Sequence, residues 1–259
     1  MNVAEYASGL VTSIPLSLSF KYSIIFIMNW RLYMIICKNR ELKTKTKLVI
    51  FDMDGLIFDT EKLFMETQAP ILEKYGYKQR KENYVKTLGI AGETLKRTLY
   101  DIYGSDYPDE IISNETRKQV NYIIEKNGVQ IKPGIKELLQ ALFAANIPCV
   151  VASSTKTEIV LKYLKRAGID KYFSFVIGGD KVNESKPNPE IFLKAWKSVD
   201  VPLEAALILE DSENGLLASK NANISSICIP DLKFPEPEYE SIPAYIVETG
   251  LDVIDILGI

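Results

Sequence analysis

The chain has 259 residues, 47% hydrophobic and 25% charged, with a formal charge of -3 and no histidine. That composition suits an ordinary soluble globular protein, one large domain or a core with a smaller companion. Mixed charge along the chain leaves no footprint for a nucleic-acid polymer, and the missing histidine excludes a Ser-His-Asp triad, a histidine general base and a histidine-ligated zinc site.

The first 46 residues differ from the rest. Residues 10–37 are rich in Ile, Leu, Phe and Tyr, but Lys21 and Arg31 interrupt them. The longest uncharged stretch, Tyr6 to Phe20, is 15 residues and contains Pro15. A spanning helix needs about 18 or more apolar residues, and a central Lys or Arg costs about 2.5–3.5 kcal/mol. No basic n-region precedes the apolar part, so a cleavable signal peptide fits poorly. The segment is expected to be an accessory or disordered extension outside the core, with Met28 and Met34 as candidate internal starts. Were it to insert in a membrane, Lys38, Arg40, Lys43, Lys45 and Lys47 would hold the following domain on the cytoplasmic side. No membrane partner is expected, and the expected location is cytoplasmic.

From Lys47 onward strands and helices alternate. Leu48 to Phe51 is a continuous apolar run, as in a parallel sheet buried on both faces. A helix follows over 61–75, closed by Gly76, with Pro70 kinking or breaking it. Residues 78–130 hold no strand candidate. One helical stripe carries Leu95, Leu99, Ile102 and Tyr103; a second carries Ile112, Val120, Ile123 and Ile124 and ends at Gly128. Alternation then resumes. Helices are predicted after Pro133-Gly134, over 156–166, from Pro187 to about Ser198, over 213–221 and from Leu251. Strands are predicted over 147–152, 173–177, 206–209, 224–229 and 245–247. Cys149 and Cys228 lie inside such runs and read as small buried hydrophobes of a reducing compartment; with Cys37 they form no CxxC pair.

Repeated βα units imply a doubly wound parallel sheet of Rossmann-like type, and the all-helical stretch after the first strand reads as an inserted helical cap. The expected division is an extension over 1–46, a catalytic core over 47–65 and 132–259, and a cap over 66–131. Ligands of such sheets bind beyond the carboxyl ends of the strands. There the chain offers Asp52 and Asp54, then Ser153, Ser154 and Thr155, then Glu210 and Asp211, with Lys186 just before a Pro-opened helix. Residues i and i+2 of an extended segment share a face, so Asp52 and Asp54 converge. Paired carboxylates repel unless a cation neutralises them, which suits a hard divalent metal such as Mg2+. Two acids, hydroxyls, a cation and two more acids are the inventory of phosphoryl chemistry.

Four stretches, Phe51-Asp52-Met53-Asp54-Gly55, Ala152-Ser153-Ser154, Ser185-Lys186-Pro187-Asn188-Pro189 and Leu209-Glu210-Asp211-Ser212, agree in order and spacing with one family. The chain resembles the haloacid dehalogenase superfamily, in its β-phosphoglucomutase-like phosphatase branch, over about residues 47–230. The resemblance implies that Asp52 attacks phosphorus and becomes an aspartyl phosphate. Asp54 would protonate the leaving alkoxide and then deprotonate the hydrolytic water. Lys186, Ser153 and Ser154 with nearby N–H groups would hold the phosphoryl oxygens. Mg2+ would take Asp52, the Asp54 main-chain carbonyl and Asp211, with Glu210 reaching it through water.

Each residue also has a duller reading. Ser153 caps the next helix, Lys186 is a surface lysine, and Glu210 and Asp211 cap helix 213–221. Four such coincidences in family order are rejected. Asp59 and Thr60 are expected only to cap the first helix, without chemistry. The implied substrate is a small phosphomonoester, sugar phosphate or nucleotide-like, with loop 88–95 and its Glu93 touching the leaving group. The rival is a phosphosugar mutase, which uses a cap histidine where this chain has Phe64 and a cap arginine where it has Gly92. A 2-haloacid dehalogenase lacks the second aspartate that Asp54 supplies. A non-catalytic phosphate- or metal-binding regulator is the alternative from another class, set against retention of all four motifs.

Overall fold

The computed structural model describes residues 35–39, 41–42, 44–90 and 92–259. The apolar stretch before residue 35, with the expectations placed on it, lies outside the described residues. Strand β1 spans Ile35–Lys38 and β2 Leu48–Phe51. Four helices follow: α1 Thr60–Lys74, α2 Lys81–Val85, α3 Gly92–Tyr103 and α4 Asp109–Asn127. Next come α5 Ile135–Ala144, β3 Cys149–Ser153, α6 Thr157–Arg166, β4 Phe173–Gly178 and α7 Glu190–Trp196. The chain closes with β5 Ala206–Glu210, α8 Glu213–Asn221, β6 Ser225–Cys228, β7 Tyr245–Val247 and α9 Gly250–Leu257. No helix of the described residues is long and apolar enough to cross a membrane.

Among the described residues seven strands form one sheet in the order β1-β7-β6-β5-β2-β3-β4, and β2 to β7 pair in parallel. Every residue of β2, β3 and β5 is buried. With helices on both faces a strand has no solvated side, which is why these three read as unbroken apolar runs. Leu48, Ile50, Val150 and Ile208 pack on Phe192 of α7 as the main core. Phe51 pairs with Val151 on one side and Leu209 on the other, so Asp52 and Glu210 leave the sheet at one level.

The helical insertion has its own small core of Ile71, Leu72, Tyr107 and Ile112, with Leu99 and Tyr103 against it. Tyr103 stacks on Tyr107 with ring centroids 4.7 Å apart. Pro70 neither breaks nor ends α1; it is exposed, so the hydrogen bond it forfeits faces water. The short α2 was not foreseen. The chain enters and leaves the insertion side by side: Asp59 N donates to Gln130 O at 3.0 Å and Lys132 N to Ile57 O at 2.9 Å. The whole of α1 therefore follows the crossing, and the expected boundary at residue 65 falls inside a continuous helix.

The segment before residue 47 also departs from expectation. Strand β1 lies beside β7 at the sheet edge, Asn39 N donates to Ala244 O at 2.8 Å and Thr44 Oγ1 to Glu204 O at 2.6 Å. The buried three-residue β7 would otherwise present an open edge, and β1 covers it.

Candidate active site

The ends of β2, β3 and β5 open into a cavity of about 670 Å³ walled by both the core and the helical insertion. Asp52 and Asp54 both line it, as their i, i+2 spacing predicts. The Asp52 N–H still donates to Leu209 O at 3.0 Å, so the ladder runs one residue beyond β2 and fixes the carboxylate's origin. Gly55 then turns the chain at φ +77°, a conformation that costs a residue with a Cβ about 1–2 kcal/mol. A Cβ there would also stand 2.2 Å from Asp211 Oδ2.

Hydroxyls converge on Asp54. Thr155 Oγ1 donates to its Oδ2 at 2.7 Å and Ser153 Oγ at 3.3 Å. Thr60, buried in the first turn of α1, accepts from Gly55 N at 3.2 Å on its Oγ1 and helps to draw the Asp54 pKa down. Burial pushes the Asp54 carboxyl up, against the pull of those three hydroxyls, and a fixed carboxyl of raised pKa is equipped to carry a proton. Thr60 thus does more than the capping expected of it. Asp59, which precedes α1, makes no side-chain cap bond. Ser153 is fully buried behind Asp54, while Ser154 and Thr155 stand at the cavity wall.

Lys186 Nζ donates to Asp52 Oδ1 and, at 2.6 Å, to Glu210 Oε1. It also stands 4.7 Å from the centre of the Phe192 ring. Burial opposes its charge, but Asp52 and Glu210 hold the ammonium's pKa above its usual value. One ammonium shared by two carboxylates leaves Asp52 short of positive charge. Burial pushes that carboxyl up to about 7, with Lys186 opposing and Glu210 and Asp54 adding to the rise.

Both carboxylate oxygens of Glu210 are engaged within the protein. It is fully buried, with Oε1 on Lys186 and Oε2 accepting from Asp211 N, Ser212 N and Ser212 Oγ, each at 2.9 Å. Its bonds go to the lysine and to the start of α8, because Gly215 leaves room for it there. A Cβ on Gly215 would stand 1.8 Å from Glu210 Oε1.

Asp231, just past β6, went unnoticed in the sequence, although the strand-exit rule that found the other acids applies equally to Ile229-Pro230-Asp231. Its Oδ1 accepts from Lys132 Nζ at 2.6 Å; its Oδ2 is buried without a hydrogen-bond partner. That Oδ2 and Asp211 Oδ2 lie 3.4 and 2.2 Å from a Cβ built on Gly55, so both carboxylates lean over the same glycine. Withdrawal from water, then repulsion from Glu210, Asp52 and Asp231, pushes the Asp211 carboxyl well up. Among the described residues no three acidic or sulfur side chains already stand at metal-ligating spacing. The donor set nonetheless fits a hard divalent cation: all oxygen, rich in negative charge, with one orphaned carboxylate oxygen and a glycine floor.

The insertion supplies the remaining wall. Glu61 and Phe64 of α1 and Leu88, Gly89 and Ile90 of the following loop line the cavity, and Asn214 Nδ2 of α8 donates to Gly89 O at 2.5 Å. Glu93 is exposed and is not among the lining residues; Ala91 lies outside the described residues.

The sequence matches the haloacid dehalogenase-like hydrolase family over residues 49–229. It is 30% identical over 183 residues to the phosphorylated carbohydrates phosphatase of Thermotoga maritima, covering 69% of this chain and 82% of that one. A (DL)-glycerol-3-phosphatase 2 of Arabidopsis thaliana is 30% identical over 197 residues, covering 71% of this chain and 79% of the relative. In fold the chain resembles the crystal structure of CbbY from Rhodobacter sphaeroides in complex with phosphate, with TM-score 0.64 and 24% identity over 83% of this chain and 100% of that one. The chain belongs to the haloacid dehalogenase-like hydrolase family.

Proposed function

We propose that this phosphatase hydrolyses a small phosphomonoester, a sugar phosphate or nucleotide-like ester, through an aspartyl phosphate on Asp52. The observation that carries the reading is the arrangement around β2's end: Asp52 shares the Lys186 ammonium with Glu210, and Asp54, two residues on, is held by the Ser153 and Thr155 hydroxyls. An Asp52 oxygen attacks phosphorus while the ester P–O bond breaks. Asp54 gives its proton to the departing alkoxide. A water then attacks phosphorus, Asp54 takes the water's proton, and inorganic phosphate leaves Asp52 in its original state.

Lys186 Nζ steadies Asp52 and lies where phosphoryl oxygens gather charge, and Ser154 and Thr155 face the same space. Asp52, the Asp54 carbonyl and Asp211 would hold Mg2+, which would supply the positive charge that lets a phosphate dianion approach this acidic cavity. Helices α1 to α4 act as a cap that keeps bulk water from the intermediate. The relatives named for phosphorylated carbohydrates and glycerol 3-phosphate support an ester of that size. Phe64 at the cavity wall brings no proton relay for a mutase. Free, buried Cys149 and Cys228 support a reducing, cytoplasmic setting.

Asp52→Asn tests the reading. Hydrolysis of p-nitrophenyl phosphate should fall at least ~10³-fold with an unchanged circular dichroism spectrum; retained turnover removes Asp52 as nucleophile. EDTA should silence the wild type and Mg2+ restore it.

A further inference from the structure

A second cavity, of about 280 Å³, lies inside the helical cap and shares Glu61, Leu88, Gly89 and Ile90 with the catalytic one. Glu61 stands at the junction. Its Oε2 accepts from Tyr84 Oη at 2.9 Å, which fixes the carboxylate between the two spaces. The inner cavity offers neutral polar groups, Gln68, Asn83, Thr87 and Ser113, beside Leu95, Leu99 and Tyr103. Its charged lining residues are Glu61 and Asp109.

Positive charge is scarce in both spaces. Among the described residues the lysines lining the catalytic cavity are Lys186 and Lys233, and no arginine lines either one. Lys186 is bonded to Asp52 and Glu210, Lys233 to Glu213 and Glu236. A second anionic group on the substrate would meet carboxylates and no uncommitted cation, in a space where charges interact more strongly than in water. Hydroxyl groups, by contrast, would find acceptors on Glu61 and on the neutral polar side chains around it.

Resting on the phosphatase reading, we propose that Glu61 is a specificity-determining residue and that the leaving group is an uncharged polyhydroxy fragment. Its hydroxyls donate to Glu61 and its far end fills the inner cavity. Leaving groups that carry a carboxylate or a second phosphate are rejected.

The test compares kcat/KM within matched pairs, glycerol 3-phosphate against 3-phosphoglycerate and glucose 1-phosphate against glucose 1,6-bisphosphate, by phosphate release. The uncharged member of each pair should lead by at least ~10-fold, equivalent to about 1.4 kcal/mol. Glu61→Gln should shrink that lead at least ~3-fold. Glu61→Asp, which keeps the charge but shortens the reach, should keep the lead while raising KM for the uncharged member. The wild-type ratios need no variant and decide the question even if Glu61→Gln fails to fold. Ratios near one, or a lead untouched by Glu61→Gln, overturn the assignment. If p-nitrophenyl phosphate is hydrolysed while the ratios are flat, only the specificity claim falls. If no phosphate ester is hydrolysed at all, the phosphatase reading falls and takes this one with it.

Discussion

Glu210 grips Lys186 from the far side of Asp52, Oε1 to Nζ at 2.6 Å, with both side chains closed off from solvent. A carboxylate in that position sets where the ammonium points. Glu210→Gln should therefore lower kcat about tenfold or more through a loosened Lys186, while Mn2+ affinity followed by electron paramagnetic resonance stays within about twofold. Asp231→Asn should do the reverse to the metal, weakening Mn2+ at least ~10-fold, the usual cost of losing an outer carboxylate. Weak metal binding in Glu210→Gln would return Glu210 to the ligand set.

Gly215→Ala sets two magnitudes against each other. Alanine in a helix gains at most about 1 kcal/mol over glycine, and Gly215 stands in the first turn of α8. Here the added Cβ would stand 1.8 Å from Glu210 Oε1, and overpacking costs about 1–3 kcal/mol. The clash should win: a lower melting temperature, and a kcat loss that parallels Glu210→Gln. A stabilised, fully active variant would show that Glu210 has somewhere else to go.

Thr60→Val and Thr155→Val each remove one hydroxyl from the surroundings of Asp54 and leave the shape of the side chain nearly intact. Each should cost about 0.5–1.5 kcal/mol of stability. Activity should fall more for esters of basic alkoxides than for p-nitrophenyl phosphate, whose leaving group departs with little help from an acid. Equal losses on both kinds of substrate would take proton transfer away from the Asp54 cluster.

Removal of residues 1–43 takes away β1 and bares the edge of β7. The shortened chain should retain turnover, because β7 and β6 separate β1 from the catalytic strands β5, β2 and β3, but it should associate through the exposed edge. Light scattering against concentration checks this; a strictly monomeric, equally stable product would make β1 dispensable.

Strands β2, β3 and β5 were readable because burial on both faces leaves an unbroken apolar run, and the acids at their ends followed from the parallel-sheet rule. Strand β1 was not: four residues at the end of an Ile-rich stretch carry no period of their own, and only the neighbouring β7 makes them a strand. Thr60 looked like a helix cap because that is what a threonine at a helix start does. Its Oγ1 accepts from Gly55 N because Gly55 folds the chain back over five residues. Lys132 and Asp231 are 99 residues apart, and no local pattern joins them. Glu210 and Asp211 are adjacent acids, and which one faces the lysine depends on the space that Gly215 leaves.

The paired crossing at Asp59–Gln130 and Ile57–Lys132 has an engineering consequence. Both severed ends of an excised cap would lie one hydrogen bond apart, so a short turn can rejoin them without disturbing any strand of the sheet. A cap exchanged through the same doorway would have to keep Thr60, whose Oγ1 accepts from Gly55 N, to leave the chemical centre unchanged.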